Sequence, residues 1–323
     1  MTVREKALEM LASGETVEGA RLARELGVSR TAVWKVMNSL RQYGYEIEAV
    51  TNRGYRLISA PDRLSEAEIR RWLTAGELGR ELEIHERLDS TNNRAKALAA
   101  AGAPHGLAVL ADSQSGGRGR LGRSFFAPEH SGVYLTCILR PDCAPEQAGL
   151  LTSLAAVAAA RAVERTSGAD VKIKWVNDLY LNGKKICGIL TEAGLGLEAG
   201  RLEYAVVGIG VNVNRMEFPP ELRDIATSVG NETGAPPDRN RLAAEILNEL
   251  EALLPDLETG AFLEESRRRS NVIGRTVTVI EGGRKYPARA LDIDGRGRLV
   301  IETEAGRAGL NYGEVSLKLT EGD

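Results

Sequence analysis

Gly117-Arg118-Gly119-Arg120-Leu121-Gly122-Arg123 is the stretch on which the fold turns. It formally satisfies G-x-G-x-x-G, the dinucleotide fingerprint, which needs a strand before the loop and a helix opening directly from it. A strand does precede it, since residues 107–111 are short, apolar and bounded by polar residues. No helix follows: Phe125, Phe126, Pro128 and Gly132 lead into a second strand-like run, residues 133–139. The loop therefore joins two strands and a Rossmann unit does not fit. The kinase version fails as well, because no H-R-D or D-F-G follows. What remains is chemistry: arginines offer planar forks matched to carboxylate and phosphate oxygens, and glycines let the main chain close around a small anion.

Outward from the loop, strand-like and helical segments alternate. Strands are expected at residues 82–86, 107–111, 133–139, 171–176, 185–191 and 204–212. Helices are expected from Ser65 to about Leu73, at 91–101, 145–167, 239–254 and 260–268. This is α+β around a mixed sheet, residues 64–270. After Gly274, short strands at 276–280, 286–294, 298–302 and 315–319 suggest a small SH3-like β-barrel over residues 271–323. Ser59-Ala60-Pro61-Asp62 reads as a linker behind a first domain, residues 1–60.

That first domain reads as three helices and a hairpin: residues 4–12, 17–26, and 29 to about 43, with Ser29 as N-cap and Gly44 at the end. Val33, Val36, Met37 and Leu40 share one face of the third helix, and Arg30, Thr31, Lys35 and Asn38 lie on the other. Two strands follow around Asn52-Arg53-Gly54. The order describes a winged helix-turn-helix, offering Arg30, Thr31, Lys35 and Asn38 to the major groove and Arg53 at the wing tip. Nine Lys and Arg against seven acids leave this segment weakly basic. Trp34 reads as a core or rim anchor rather than a base contact.

The 323 residues carry a net charge of −3, so nucleic-acid binding must come from a local patch. Cys137, Cys143 and Cys187 fit neither a disulfide framework nor a zinc site, and His85, His105 and His130 lack H-E-x-x-H spacing. A reducing cytoplasm is expected. The apolar stretch at 148–160 is short of the ~20 residues that span a bilayer.

Four stations gather polar chemistry in the middle of the chain: Asp89-Ser90-Thr91-Asn92, Gln114 through Arg123, Lys172-Ile173-Lys174-Trp175-Val176-Asn177-Asp178, and the glycine-broken strands Lys185-Ile186-Cys187-Gly188-Ile189-Leu190 and Gly208-Ile209-Gly210-Val211-Asn212. They are rich in Arg and Lys, nearly without histidine, and hold neither a Ser-His-Asp arrangement nor a carboxylate pair. No G-x-x-x-x-G-K-[ST] is present. Cations and geometry acting on a phosphoryl centre suit that composition.

In this order the motifs Asp-Ser-Thr-Asn, Gln-x-x-Gly-Arg-Gly-Arg-x-Gly-Arg, Lys-Trp-x-Asn-Asp, Lys-x-x-Gly-Ile-Leu and Gly-Ile-Gly-x-Asn resemble those of biotin–protein ligases. With the N-terminal domain, the chain is similar to the bacterial family of bifunctional biotin ligases and biotin operon repressors. The resemblance implies that biotin's carboxylate attacks the α-phosphate of Mg-ATP, giving biotinyl-5′-AMP, and that a lysine of a biotin carboxyl carrier protein then takes the biotinyl group. It implies catalytic roles for Lys174, Arg120 and Arg118. Ser90, Thr91, Asn92, Gln114, Arg118, Gly119, Arg120, Lys174, Lys185 and Gly188 would bind biotin. Arg118, Arg120, Arg123, Lys174, Asn177, Gly208, Asn212 and Lys318 would bind ATP. It also implies adenylate-linked homodimerisation, operator DNA as partner and no membrane, and it assigns no metal ligands. Val176 stands where proline is usual, and Lys318 where an arginine is frequent. A lipoate–protein ligase shares the catalytic fold, but the complete arginine loop and the N-terminal domain argue against it. The intact Lys174 and Arg120 argue against a sensor that has lost catalysis. Whether repression is retained stays open.

Overall fold

The computed structural model describes residues 3–42, 45–51, 53–59, 62–144, 147–195, 202–282, 284–311 and 314–317. Two compact units emerge, Met1–Arg63 and Leu64–Asp323.

In the first unit, helices α1 (Val3–Leu11), α2 (Gly19–Leu26) and α3 (Arg30–Gln42) precede the antiparallel hairpin β1 (Glu46–Val50) and β2 (Gly54–Ser59). Leu11, Leu22, Val33, Met37, Leu40 and Ile47 form its core, with Val36 at the edge. The α2–α3 turn closes through Gly27 at φ 68° and a hydrogen bond from Val28 N–H to the Ala23 carbonyl. Helix α2 starts two residues later than its apolar pattern suggests, because Val17 exchanges backbone hydrogen bonds with Tyr55 and lies against the hairpin. Gly54 permits that approach: a Cβ there would fall 2.0 Å from the Val17 carbonyl oxygen. Gly44, Asn52, Ala60 and Pro61 lie outside the described residues.

The second unit is built on a sheet of order β3-β4-β5-β9-β8-β7-β6, formed by β3 (Leu82–Leu88), β4 (Ala108–Gln114), β5 (Gly132–Leu139), β6 (Lys172–Lys174), β7 (Asp178–Leu181), β8 (Lys184–Leu195) and β9 (Leu202–Asn212). Only β3 and β4 run parallel among the described pairs. One face carries Leu110, Leu135, Val207, Ile189 and Val211 against α6 (Ala148–Ser167), itself covered by α8 (Arg239–Leu253). Alanine-rich α6 is buried nearly all round, which explains its apolar run without any membrane role. No helix of the described residues is long and apolar enough to cross a membrane. The other face packs Val109, Ile138 and Val206 against α5 (Thr91–Ala100), which leaves part of it for the arginine loop.

Three differences from the sequence reading have clear causes. The strand expected over 171–176 stops at Lys174, where a turn over 175–177 reverses the chain into β7, a strand too short to show alternation. In the C-terminal region β10 (Thr276–Glu281), β11 (Arg284–Ile293), β12 (Leu299–Thr303), β13 (Gly306–Leu310) and β14 (Glu314–Leu317) form one antiparallel sheet of order β13-β12-β11-β10-β14. Strand β13, Gly-Arg-Ala-Gly-Leu, is largely exposed and so lacked an apolar signal. The expected barrel is not closed, for β13 and β14 do not pair among the described residues. Lys318 and Leu319 lie outside the described residues.

Remaining helices α4 (Glu66–Trp72), α7 (Val229–Thr233) and α9 (Phe262–Arg269) pad the edges. Glu251, on α8, clamps the chain after α4: its carboxylate accepts from the backbone N–H groups of Gly76, Glu77 and Leu78 at 2.6–2.8 Å. Burial pushes its pKa up, but these donors more than offset that and hold it below 4.5. A depressed folded-state pKa gives stability that is present above the unfolded value and lost as pH falls through the folded one. Glu251→Gln should therefore melt at lower temperature than wild type at pH 7, with the gap closing below about pH 4. Thermal unfolding across pH 3–7 checks this, and a constant gap would contradict it.

Candidate active site

The four stations converge on the α5 face of the sheet. The ladder sets Lys174, Asp178, Gly188, Gly210 and Tyr134 directly opposite one another on successive strands, so their Cβ positions form one row on one face. Its middle is bare backbone, and over it lies the Phe125 ring. A Cβ at Gly210 would fall 2.9 Å from that ring and one at Gly188 3.1 Å from it. Phe125 also meets the Tyr134 ring edge-on at 6.2 Å. The sequence reading used Phe125 only as a sign that no helix follows the loop. Glycines spaced to admit an aromatic ring were the missed signal.

One end of the row is cationic. Arg120, half-buried, donates from Nη1 to Asn177 Oδ1 at 3.1 Å, which brings the arginine loop onto the Lys-Trp-x-Asn-Asp turn. The loop is closed on itself by Gly119 N–H to the Arg123 carbonyl, 2.7 Å, and Phe125 N–H to the Gly117 carbonyl, 2.8 Å. Asn177 is held in turn by Ile189, through its own carbonyl and its Nδ2. Lys185 Nζ pairs with Asp178 Oδ1 at 2.7 Å. The Lys174 ammonium sits 5.6 Å from the Tyr180 ring centroid. Trp175 is buried, with Nε1 donating to the Gly297 carbonyl at 3.0 Å, so the turn is anchored on the C-terminal sheet. The Trp175–Val176 peptide is cis.

Beside the row, Ser90, Thr91 and Asn92 open α5, all buried. Gln114 Oε1 accepts from Thr91 N–H at 2.8 Å and from its hydroxyl at 3.1 Å. The Ser90 hydroxyl is not spent on capping the helix. Asn92 is fully engaged. Its Oδ1 accepts from the Thr136 hydroxyl at 2.8 Å, and its Nδ2 donates to the Leu190 carbonyl and to Glu192 Oε2. Glu192 also binds Lys96 at 2.6 Å. Burial pushes the Glu192 carboxyl up, and Lys96 with the Asn92 amide pulls it below 4.5. Lys96, Thr136 and Glu192 lie far apart in sequence, and only the fold brings them together.

Gly208 meets Asn92, not an open cleft, since a Cβ there would fall 1.9 Å from Oδ1. Gly208→Ala must push the Asn92 amide off its three partners and disturb the Thr91–Gln114 pair beside it. A misplacement on the order of 1 Å is worth roughly a hundred-fold in rate, so turnover at this site should slow by about that factor. Steady-state kinetics of the variant check this, and an unchanged rate would contradict it.

Asn212, at the end of β9, is buried. Its Nδ2 donates to the Thr227 carbonyl at 3.0 Å, while its Oδ1 has no hydrogen-bond partner among the described residues. Arg118 and Arg123 are exposed. Among the described residues no cluster of three or more His, Cys, Asp or Glu could hold a metal ion. The Cys137 thiol is buried and pushed up to about 12, and Cys187 is raised further, so neither is a nucleophile at neutral pH. In the N-terminal unit Arg30, Thr31, Lys35 and Arg53 are exposed, whereas Asn38 is half-buried and accepts from Arg41 at 2.9 Å.

Residues 84–212 match the biotin/lipoate A/B protein ligase family, residues 3–56 an HTH domain, and residues 272–318 the biotin protein ligase C terminal domain. The bifunctional ligase/repressor BirA of Bacillus subtilis is 40% identical over 94% of this chain and 95% of its own length. Its Escherichia coli counterpart is 31% identical over 99% of this chain and 98% of its own. The solved structure of a biotin protein ligase from Aquifex aeolicus, in complex with biotin and ATP, aligns with TM-score 0.63 at 30% identity, covering 74% of this chain and 99% of that one.

Proposed function

The chain belongs to the biotin protein ligase family, in its bifunctional ligase/repressor branch, and from that premise we propose how its residues divide the work. It is an ATP-dependent biotin–protein ligase with an N-terminal DNA-binding domain. The observation that carries the reading is the row Lys174–Asp178–Gly188–Gly210, a backbone floor with cations at one end and a buried amide cluster beside it.

Biotin's ureido ring needs donors and acceptors in a dry pocket, and its carboxylate needs cations. Ser90, Thr91 and Gln114 supply the first, with Asn92 fixing their positions from below rather than pointing at the ring. Gly188 and Gly210 seat the Phe125 ring directly on the sheet, where it forms one wall of the pocket. Gly119 lends backbone to the closing loop. Lys185, paired with Asp178, and Lys174 face the carboxylate end.

Adenylation places two anions, a carboxylate and a triphosphate, against each other. Their approach is repulsive unless cations neutralise it, and charge grows further on the α-phosphoryl oxygens as the carboxylate oxygen attacks and pyrophosphate leaves. Arg120, Arg118, Arg123 and Lys174 are the groups assigned to that charge, with Asn177 orienting Arg120. The unpartnered Asn212 Oδ1 is an acceptor suited to an exocyclic amine of adenine. Lys318 is assigned to the phosphates from the C-terminal domain. Magnesium enters as part of the substrate, Mg-ATP. In the second half-reaction the carrier lysine's amine attacks the mixed anhydride's carbonyl carbon, AMP leaves and an amide forms.

We assign residues 1–60 to operator binding, 64–270 to catalysis and 271–323 to a C-terminal domain that supports the Lys174 turn through the Gly297 carbonyl. Arg30, Thr31, Lys35, Asn38 and Arg53 face DNA, adenylate-bound chains pair as homodimers, and the protein acts in the cytoplasm. Biotin-dependent exchange of labelled pyrophosphate into ATP tests the first step. Exchange only with biotin supports the reading, and exchange with lipoate alone points to the sister activity.

A further inference from the structure

The three tryptophans occupy three different settings. Trp175 is buried on the Gly297 carbonyl, and Trp72 lies under the Arg241 guanidinium at 4.7 Å. Trp34 has no such cover: it is 54% exposed in the middle of α3. It projects from the flank of the helix, about 100° round from the buried Val33, Met37 and Leu40, one turn from Arg30 and from Asn38 and between the core stripe and the exposed Thr31 and Lys35. It therefore is not the core anchor that its residue type suggests.

Charge says what kind of partner covers it. Helix α3 carries Arg30, Lys35 and Arg41 and not a single carboxylate, and neither Arg30 nor Lys35 forms an ion pair among the described residues. Arg41 turns inward, donating to the Ile47 carbonyl and to Asn38 Oδ1. Asn38 consequently has its oxygen engaged, whereas two-point recognition of adenine needs an amide's oxygen and nitrogen together. The largest free surface on this cationic face is thus an indole. Its complement is polyanionic at the edges and apolar in the middle, which describes a major groove whose thymine C5-methyl groups project between two phosphate backbones.

We propose that Trp34 reads thymine, packing its indole on thymine methyl groups in the major groove. The proposal rests on the reading of the N-terminal unit as the repressor's DNA-binding domain. Arg30 and Lys35 position the helix on the phosphates, and Trp34 makes binding depend on sequence through apolar contact.

The test uses the full chain loaded with biotin and Mg-ATP. Random-sequence duplexes are enriched on it, and the best is remade with uracil replacing thymine one position at a time, removing only a methyl group. Wild-type protein should lose about four-fold in affinity at each contacted position, from burial of one methyl. Trp34→Ala should bind the thymine duplex more weakly and bind the thymine and uracil forms equally, and Trp34→Phe should keep part of the preference. Because the side chain is exposed, Trp34→Ala should unfold at the wild-type temperature. Retention of the wild-type thymine-to-uracil ratio by Trp34→Ala would overturn the proposal. So would a wild-type affinity indifferent to every methyl, the result expected if another protein or a second copy covers Trp34. Enrichment of no duplex would overturn the DNA-binding reading itself, and the proposal with it.

Discussion

Lys174→Ala is expected to cut biotin-dependent pyrophosphate release by at least 10²–10³-fold, the usual cost of removing one preorganised charge-stabilising donor. The chain spends structure on that ammonium. Lys174 ends β6 opposite Asp178, on a turn anchored by Trp175 to Gly297 and touched by Arg120 through Asn177. Such anchoring fixes the charge before substrate arrives, so little reorganisation is needed during the reaction. Alanine removes the charge without opening a core, because Lys174 is only half-buried. The urea midpoint should therefore stay at the wild-type value, and biotin should still bind the Thr91–Gln114 cluster. Release at the wild-type rate would remove Lys174 from the mechanism.

Asp112→Ala should produce the largest loss of stability. Arg239 is fully buried, and its Nη1 donates to Asp112 Oδ1 at 2.7 Å and to the Gly132 carbonyl at 2.9 Å. Asp112 Oδ2 holds both His130 N–H, 3.0 Å, and its ring, at a residue with φ 56°, in the left-handed region that few side chains adopt. The His130 and Ser131 carbonyls in turn hold Asn214, just beyond Asn212. Removing the carboxylate strands a guanidinium without its counterion, which costs about 3–5 kcal/mol for a buried pair. Replacing both partners, as in Asp112→Ala with Arg239→Met, should recover much of that loss, since the uncompensated charge is gone. Urea unfolding of the two variants measures the difference. A single variant as stable as wild type would show that the pair contributes nothing.

Much of this molecule is legible in its sequence because its signals are local. The 3.6-residue spacing of Val33, Met37 and Leu40 and the alternation around Gly54 follow from burial of one face, and the apolar runs of β5 and β9 from burial of both. The arginine loop is legible from its composition, since three guanidinium forks on a glycine backbone suit an anion. What stayed hidden depends on contacts between distant segments. Nothing near Thr136 or Glu192 announces that they hold Asn92, and Asp112 gives no sign of an arginine 127 residues away. Strands β7 and β13 are too short or too exposed to show a period. Gly208 reads as a nucleotide contact by motif, yet the space above it belongs to Asn92. Trp34 reads as a core or rim anchor by residue type, and its 54% exposure removes the first of those two.

The central claim is ligation itself, and intact mass of a biotin carboxyl carrier domain tests it most directly. The domain is incubated with this protein, biotin and Mg-ATP, and a matched lipoyl carrier with lipoate runs in parallel. A gain of one biotinyl group that requires both biotin and ATP is the predicted result. A lipoyl adduct instead, or no mass change in either tube, would contradict it.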